Sequence, residues 1–144
     1  EKLILDSLSI PDACVFMGSL TSEQVYDVLK RSDVVVHVES FEEEDIEATR
    51  LSFSTKIYEY MASGRPLLAI GPQSVASIEY LQDCSFCITS LAEISDGLID
   101  RIANKSEREQ IANKSREKYD MIKISEHSKD NVIRAILECN HDVV

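Results

Sequence analysis

At 144 residues, 44% of them hydrophobic, the chain has the length of one domain and enough apolar material for one core, which at this size buries roughly 70% of the surface the unfolded chain exposes. A formal net charge of −11 and a pI near 4.6 argue against nucleic acid and against docking on an anionic membrane, since both need a basic face. No apolar run approaches the roughly 18 residues of a membrane span and no signal-peptide pattern is present, so no spanning segment is expected; starting with Glu-Lys-Leu-Ile-Leu rather than Met, on what reads as the end of a helix, the chain reads as a piece of a larger protein.

In chain order, residues 1–9 read as the end of a helix that Pro11 breaks. Cys14–Met17 reads as a short strand ended by Gly18. Thr21-x-x-Gln24 is a capping box, and it opens a helix with Val25, Val28 and Leu29 on its apolar face. Asp33–Glu39 is a nearly continuous β-branched run, the mark of a central parallel strand, and His37 inside it reads as a packed core histidine. Next come five acids in the six positions Glu42–Glu47; mutual repulsion makes this a solvated loop or, on a sharper reading, a lid.

Ser54 and Thr55 carry hydroxyls suited to capping a helix over 55–63, whose apolar face is Ile57, Tyr60 and Met61. Gly64 suits the left-handed stop, and Pro66 prevents resumption. A buried strand follows over 67–70, then a helix over about 74–82 and a last strand over 86–89. From Leu91 on the pattern is helical. Leu91, Ile94, Leu98 and Ile102 mark one face, Ser106-x-x-Glu109 caps a second helix, and Val132, Ile133, Ile136 and Leu137 mark a third. Strands alternating with helices imply an α/β fold with a doubly wound, Rossmann-like parallel sheet. It has about four strands and a helical C-terminal third, and ligand sits at the strands' C-terminal ends.

The cysteines are Cys14, Cys84, Cys87 and Cys139. Cys84-x-x-Cys87 lacks the second pair of a zinc site, and Cys87 falls on a strand rather than opening a helix. Buried or semi-buried free thiols are expected, consistent with a reducing cytoplasm. His127 and His141 are scattered.

The segment Ser52–Pro72 carries the chemistry. A polar helix start at the sheet's C-terminal edge favours an anion, and Lys56 adds a full charge there. Glu59 stands one turn further along, three residues from Lys56 and four from Thr55, so all three are expected on one side of the helix. This arrangement suits a nucleotide, with diphosphate on Ser54, Thr55 and Lys56 and ribose hydroxyls on Glu59. Arg50 and Arg65 are further local cations. Glu39 and Ser40 end the central strand at the ligand edge. The competing reading makes Lys56 and Glu59 a surface ion pair and leaves Ser54 and Thr55 as caps alone.

The run STKIYEYMASGRP, Ser54 to Pro66, resembles the donor-binding signature of retaining glycosyltransferases of family four, which have the two-domain glycosyltransferase-B fold. Val15–Gly18 and Ser32–Val36 match two earlier strands of the same domain. The resemblance implies that Glu59 binds the ribose of a nucleotide sugar and that Gly18, Ser19 and Leu20 meet the nucleobase. It makes residues 1–144 a partial C-terminal donor-binding domain whose N-terminal acceptor domain is absent, so that this piece alone is inactive. The intact enzyme would move a hexose from a nucleoside diphosphate sugar to a glycan or lipid-linked glycan, as in bacterial surface polysaccharide synthesis. Its place would be the cytoplasm, with peripheral membrane attachment left open.

No cofactor beyond the donor and no metal is expected, because the chain has no D-x-D pair. The chain departs from the family at Leu51, where many members carry a glutamate near the transferred sugar. A non-catalytic nucleotide-binding module and a nucleotide-sugar epimerase remain alternatives. A receiver-like signalling domain does not, since Met17-Gly18-Ser19 lacks the acidic pair that domain needs. The resemblance also sets two strands, lying upstream of Glu1, between Cys14–Met17 and Asp33–Glu39. Without them, either Cys14–Met17 pairs directly with Asp33–Glu39 or a second copy covers that edge.

Overall fold

The computed structural model describes residues 13–139. Three strands, β1 (Val35–Val38), β2 (Leu67–Ile70) and β3 (Phe86–Ile88), form a parallel sheet in the order β1-β2-β3. Val35 pairs with Leu67 and Val38 with Ile70 across one ladder; Leu68 pairs with Phe86 and Ile70 with Ile88 across the other. Each β-branched or leucine-rich run was short enough for a strand and is flanked by a helix. They are α1 (Ser22–Arg31), α2 (Glu43–Thr49), α3 (Lys56–Ala62), α4 (Ala76–Leu81), α5 (Asp96–Ala103) and α6 (Lys105–Cys139), with a 3₁₀ turn at Leu91–Glu93. The α/β, Rossmann-like class is as the sequence implies. Among the described residues no helix is long and apolar enough to cross a membrane.

The core lies where α3 and α4 meet β2. Ile57, Met61, Leu67, Ala69, Val75, Ile78 and Leu81 are fully buried there. Ile57 and Met61 are four apart, so one stripe of α3 faces the sheet while its other sides stay free. The long helix α6 packs on α3, α5 and β2. It is held by Lys118, whose Nζ donates to the Tyr80 carbonyl and to Asp83 Oδ1, each at 2.6 Å. That contact holds the Asp83 carboxyl below the usual carboxylate range.

Four expectations are corrected. Cys14–Met17 forms no strand: Val15 is 85% exposed, and among the described residues β1 pairs with β2 alone. A fourth strand there would gain little, because the face it would share with the exposed Val36 and Val38 has no covering layer among the described residues. The acidic stretch is no loop. Glu43, Glu44 and Asp45 fill the first turn of α2, where the free N–H groups favour carboxylates, and Ile46 packs against the core.

The helical tail divides differently from its hydrophobic spacing. Ser95 caps α5, interrupting the face proposed from Leu91 to Ile102. Asn104 rather than Ser106 caps α6, its Oδ1 accepting from Ser106 N and Glu107 N, and α6 then runs unbroken to Cys139. The proposed helix end at residues 1–9 lies outside the described residues.

The Thr21 capping box is present in both directions: Thr21 Oγ1 accepts from Gln24 N, and Gln24 Oε1 accepts from Thr21 N. Cys84 is 2% exposed, and burial pushes its thiol up to about 11; Cys87 is half-buried and also pushed up, by burial first and then by the Glu93 carboxylate. Cys14 is exposed. Of these three thiols a disulfide reagent at pH 8 is therefore expected to modify Cys14 first and Cys84 last, since the thiolate is the reactive form. Mass mapping of the labelled peptides checks the order; Cys84 labelling as fast as Cys14 would contradict its burial.

Candidate functional site

The loop Ser52–Thr55 is fixed from below. Phe53 packs edge-on against Tyr80 with ring centroids 4.9 Å apart, and it lies 5.4 Å from the Tyr58 ring. The fully buried Ser77 accepts from Ser54 N and donates to the Ser52 carbonyl. So the aromatic residue in Ser-Phe-Ser-Thr anchors the loop, and the small polar residues around it face outward.

At the head of α3 the expected side-chain caps are not made. Thr55 is itself in the right-handed helical region, at φ −61° and ψ −24°, with no side-chain cap bond. A cap needs extended backbone to bring its hydroxyl over the next N–H groups. The Ser54 and Thr55 carbonyls instead accept from Ile57 N and Tyr58 N, at 3.1 and 3.2 Å. The hydroxyls of Ser54 and Thr55 are thereby left for other partners. At the far end, Gly64 takes φ 70° as the sequence required, and Ser63 donates to the Tyr60 carbonyl.

Two clefts flank α3. One, of about 380 Å³, lies at the C-terminal end of β1 and is lined by His37, Glu39, Thr49, Ser54, Lys56 and Tyr60, together with Ser52 and the β1 valines Val36 and Val38. The other, of about 300 Å³, lies between α1 and α3 and is lined by Leu20, Ser22, Val25, Tyr26, Leu29, Glu59 and Ala62. The sequence-derived residues therefore separate. Glu39, Ser54 and Lys56 share the first cleft, and Leu20 and Glu59 share the second. Gly18, Ser19, Ser40 and Thr55 line neither. Ser40 is engaged in the turn into α2, where its Oγ accepts from Glu42 N.

Lys56 and Glu59 form no ion pair with each other among the described residues, which removes the simplest surface reading of the two. Of the three basic residues singled out, Lys56 alone lines either of these two clefts. Arg65 instead donates to the Lys30 carbonyl, tying α1 to the end of α3. Leu51 is 84% exposed and lines neither cleft.

Among the residues of the Lys56 cleft that the sequence reading does not single out as site residues are His37, Thr49 and Tyr60. His37 is buried as expected, but it is more than filler: its Nε2 lies 2.9 Å from Glu39 Oε1. The signal was the period of a strand, which puts residues 37 and 39 on one face. Thr49 comes from α2, which had been read as a loop. Tyr60 was assigned to the apolar face of α3, yet its ring is only partly buried. Burial, and secondarily the Glu59 carboxylate, raises its pKa, so its hydroxyl stays protonated and able to donate.

The first cleft thus offers one cation, one carboxylate and several hydroxyls; the second offers an apolar slot with a carboxylate at its rim. Together they suit a ligand with an anionic middle and hydroxyl-bearing groups on both sides. A family model described as "Glycosyl transferase-like" matches residues 8–138. No curated protein and no solved structure matches the chain. With the match running from before α1 through nearly all of α6, the chain belongs to the glycosyl transferase-like family, and glycosyl transfer is the chemistry that family supports.

Proposed function

We propose that the chain is the nucleotide-sugar-binding domain of a retaining hexosyltransferase, one part of a two-domain enzyme that acts on a glycan or lipid-linked glycan. The observation that carries this reading is the pair of clefts divided by α3, with Glu59 in one and Lys56 in the other. The nucleoside lies in the α1–α3 cleft, its base against Leu20 and the apolar wall of α1 and its ribose hydroxyls on Glu59. The diphosphate crosses the head of α3, and the sugar enters the Lys56 cleft.

In this arrangement the chemistry is that of a leaving diphosphate. Charge grows on its oxygens as the bond to the sugar breaks. In this reading the Lys56 ammonium and the hydroxyls of Ser54 and Thr55 offset that charge. With a net charge of −11 the surface repels such a ligand at long range, so its affinity must come from these local contacts.

Calorimetry with UDP and GDP on the 144-residue chain tests the assignment. Glu59→Ala is expected to lower affinity by about tenfold or more, the size of a lost charge-assisted hydrogen bond. Lys56→Ala is expected to cost about 1.5–3 kcal/mol and to flatten the salt dependence of binding. Unchanged affinity in Glu59→Ala would remove the ribose role. A loss below about 0.5 kcal/mol in Lys56→Ala would return that residue to an ordinary surface charge.

A further inference from the structure

Glu39 sits in the Lys56 cleft as a restrained carboxylate. Its side chain is 18% exposed, and Oε1 is held by His37 Nε2 at 2.9 Å. An ionised carboxylate accepts only, so the Nε2 position carries the proton and donates to it. His37 is itself 7% exposed, with its ring 6.4 Å from that of Tyr60, so it has little freedom to follow a moving partner. The second oxygen, Oε2, has no hydrogen-bond partner among the described residues.

The backbone side of Glu39 is equally fixed. Its N–H donates to the Ile70 carbonyl at 2.8 Å, and a Cβ on Gly71 would come within 2.8 Å of Glu39 Cβ. The next strand therefore presses on Glu39 with nothing but a glycine. An acceptor clamped at both ends, with one oxygen unpartnered among the described residues and set in the lining of a hydroxyl-rich cleft, is built to receive donors from a ligand.

We propose that Glu39 accepts hydrogen bonds from the ring hydroxyls of the donor sugar, and that His37 is the positioning residue that sets the carboxylate for them. This rests on the nucleotide-sugar reading. In such a ligand the sugar hangs on the distal phosphate, so it must lie beyond the group that Lys56 holds, in the cleft that Lys56 shares with Glu39. A carboxylate with a free oxygen is a suitable acceptor for adjacent sugar hydroxyls, and Leu51 offers no polar atom in its place.

The test compares UDP-glucose and GDP-mannose with UDP and GDP, by calorimetry on the 144-residue chain. Glu39→Gln is expected to weaken a nucleotide sugar by about tenfold or more, while the matching diphosphate changes by less than about twofold. His37→Ala should do the same, and His37→Gln, which keeps an N–H donor, should recover most of the loss. Melting curves establish that each variant is folded; should His37→Ala fail to fold, Glu39→Gln and His37→Gln decide the matter. If the diphosphates bind but Glu39→Gln weakens them as much as the nucleotide sugars, or weakens neither, the sugar role is overturned and the nucleotide reading survives. If His37→Gln and His37→Ala are folded and equally impaired, the positioning role is overturned. If the unaltered chain binds none of the four ligands, both readings fall together.

Discussion

Replacing Met61 by alanine is expected to cost about 2–5 kcal/mol of folding free energy, the range for truncating a large buried side chain. Met61 is fully buried in the cluster that also holds Ile57, Leu67 and Ile78. The lost contacts would leave a void between α3 and the sheet that the close-packed surroundings fill only in part. Single domains have about 5–15 kcal/mol in all, so this one change removes a large share. Urea unfolding followed by circular dichroism reads the shift in midpoint at unchanged slope. A cost below about 1 kcal/mol would mean that α3 is not seated as described, since such a value fits a half-exposed site rather than a core one.

Gly71→Ala is expected to cost about 1–3 kcal/mol, chiefly by overpacking, with a smaller conformational share because the backbone there is at φ 158°. The added Cβ would lie 2.8 Å from Glu39 Cβ and 3.0 Å from Ile78 Cγ1, so either β1 must part from β2 or α4 must lift. Gly64→Ala is the contrast. Nothing lies within 4 Å of its added Cβ, but the backbone there is at φ 70°. Its cost is conformational alone, about 1 kcal/mol. Thermal melts of the two variants separate the mechanisms, because removing the obstruction helps only one of them. Ile78→Val in the Gly71→Ala background should recover part of the loss, whereas no neighbouring truncation should rescue Gly64→Ala. Equal costs without rescue would show that the approach of Gly71 to Glu39 is looser than drawn.

The alternation of strands and helices was legible because its signals are local. β-branched runs, the Thr21–Gln24 box and the Gly64 stop each act within a few residues, and all appear where the pattern placed them. Cys14–Met17 carried the same kind of apolar run and failed, because a strand exists only through a partner. The acids of α2 misled in the opposite direction: repulsion within a segment was weighed, but not the helix dipole that welcomes charge in a first turn. The site was half legible. Lys56, Glu59, Ser54, Glu39 and Leu20 were picked by motif and position, but their division between two clefts depends on the rotation of α3 against α1 and β1. Sequence spacing placed Lys56 and Glu59 on one side of the helix and could not register that a neighbouring helix reaches only one of them. His37 was hidden for another reason: apolar neighbours on both sides make a histidine look like packing.

The rotation of α3 has a consequence for how this domain could change over generations. Lys56 and Tyr60 look one way and Glu59 and Ala62 the other, and the two linings have no residue in common. Substitutions far from the helix on one side should therefore combine additively with those on the other, whereas Glu59 and Tyr60 should couple, because the Glu59 carboxylate helps to raise the Tyr60 pKa. Drift can remodel one wall while the opposite wall keeps its chemistry. What the two share besides that charge contact is the seat of the helix, Ile57 and Met61, which is fully buried. A change in that seat tilts both walls at once. The buried stripe of α3 is thus the one that couples two otherwise separate walls.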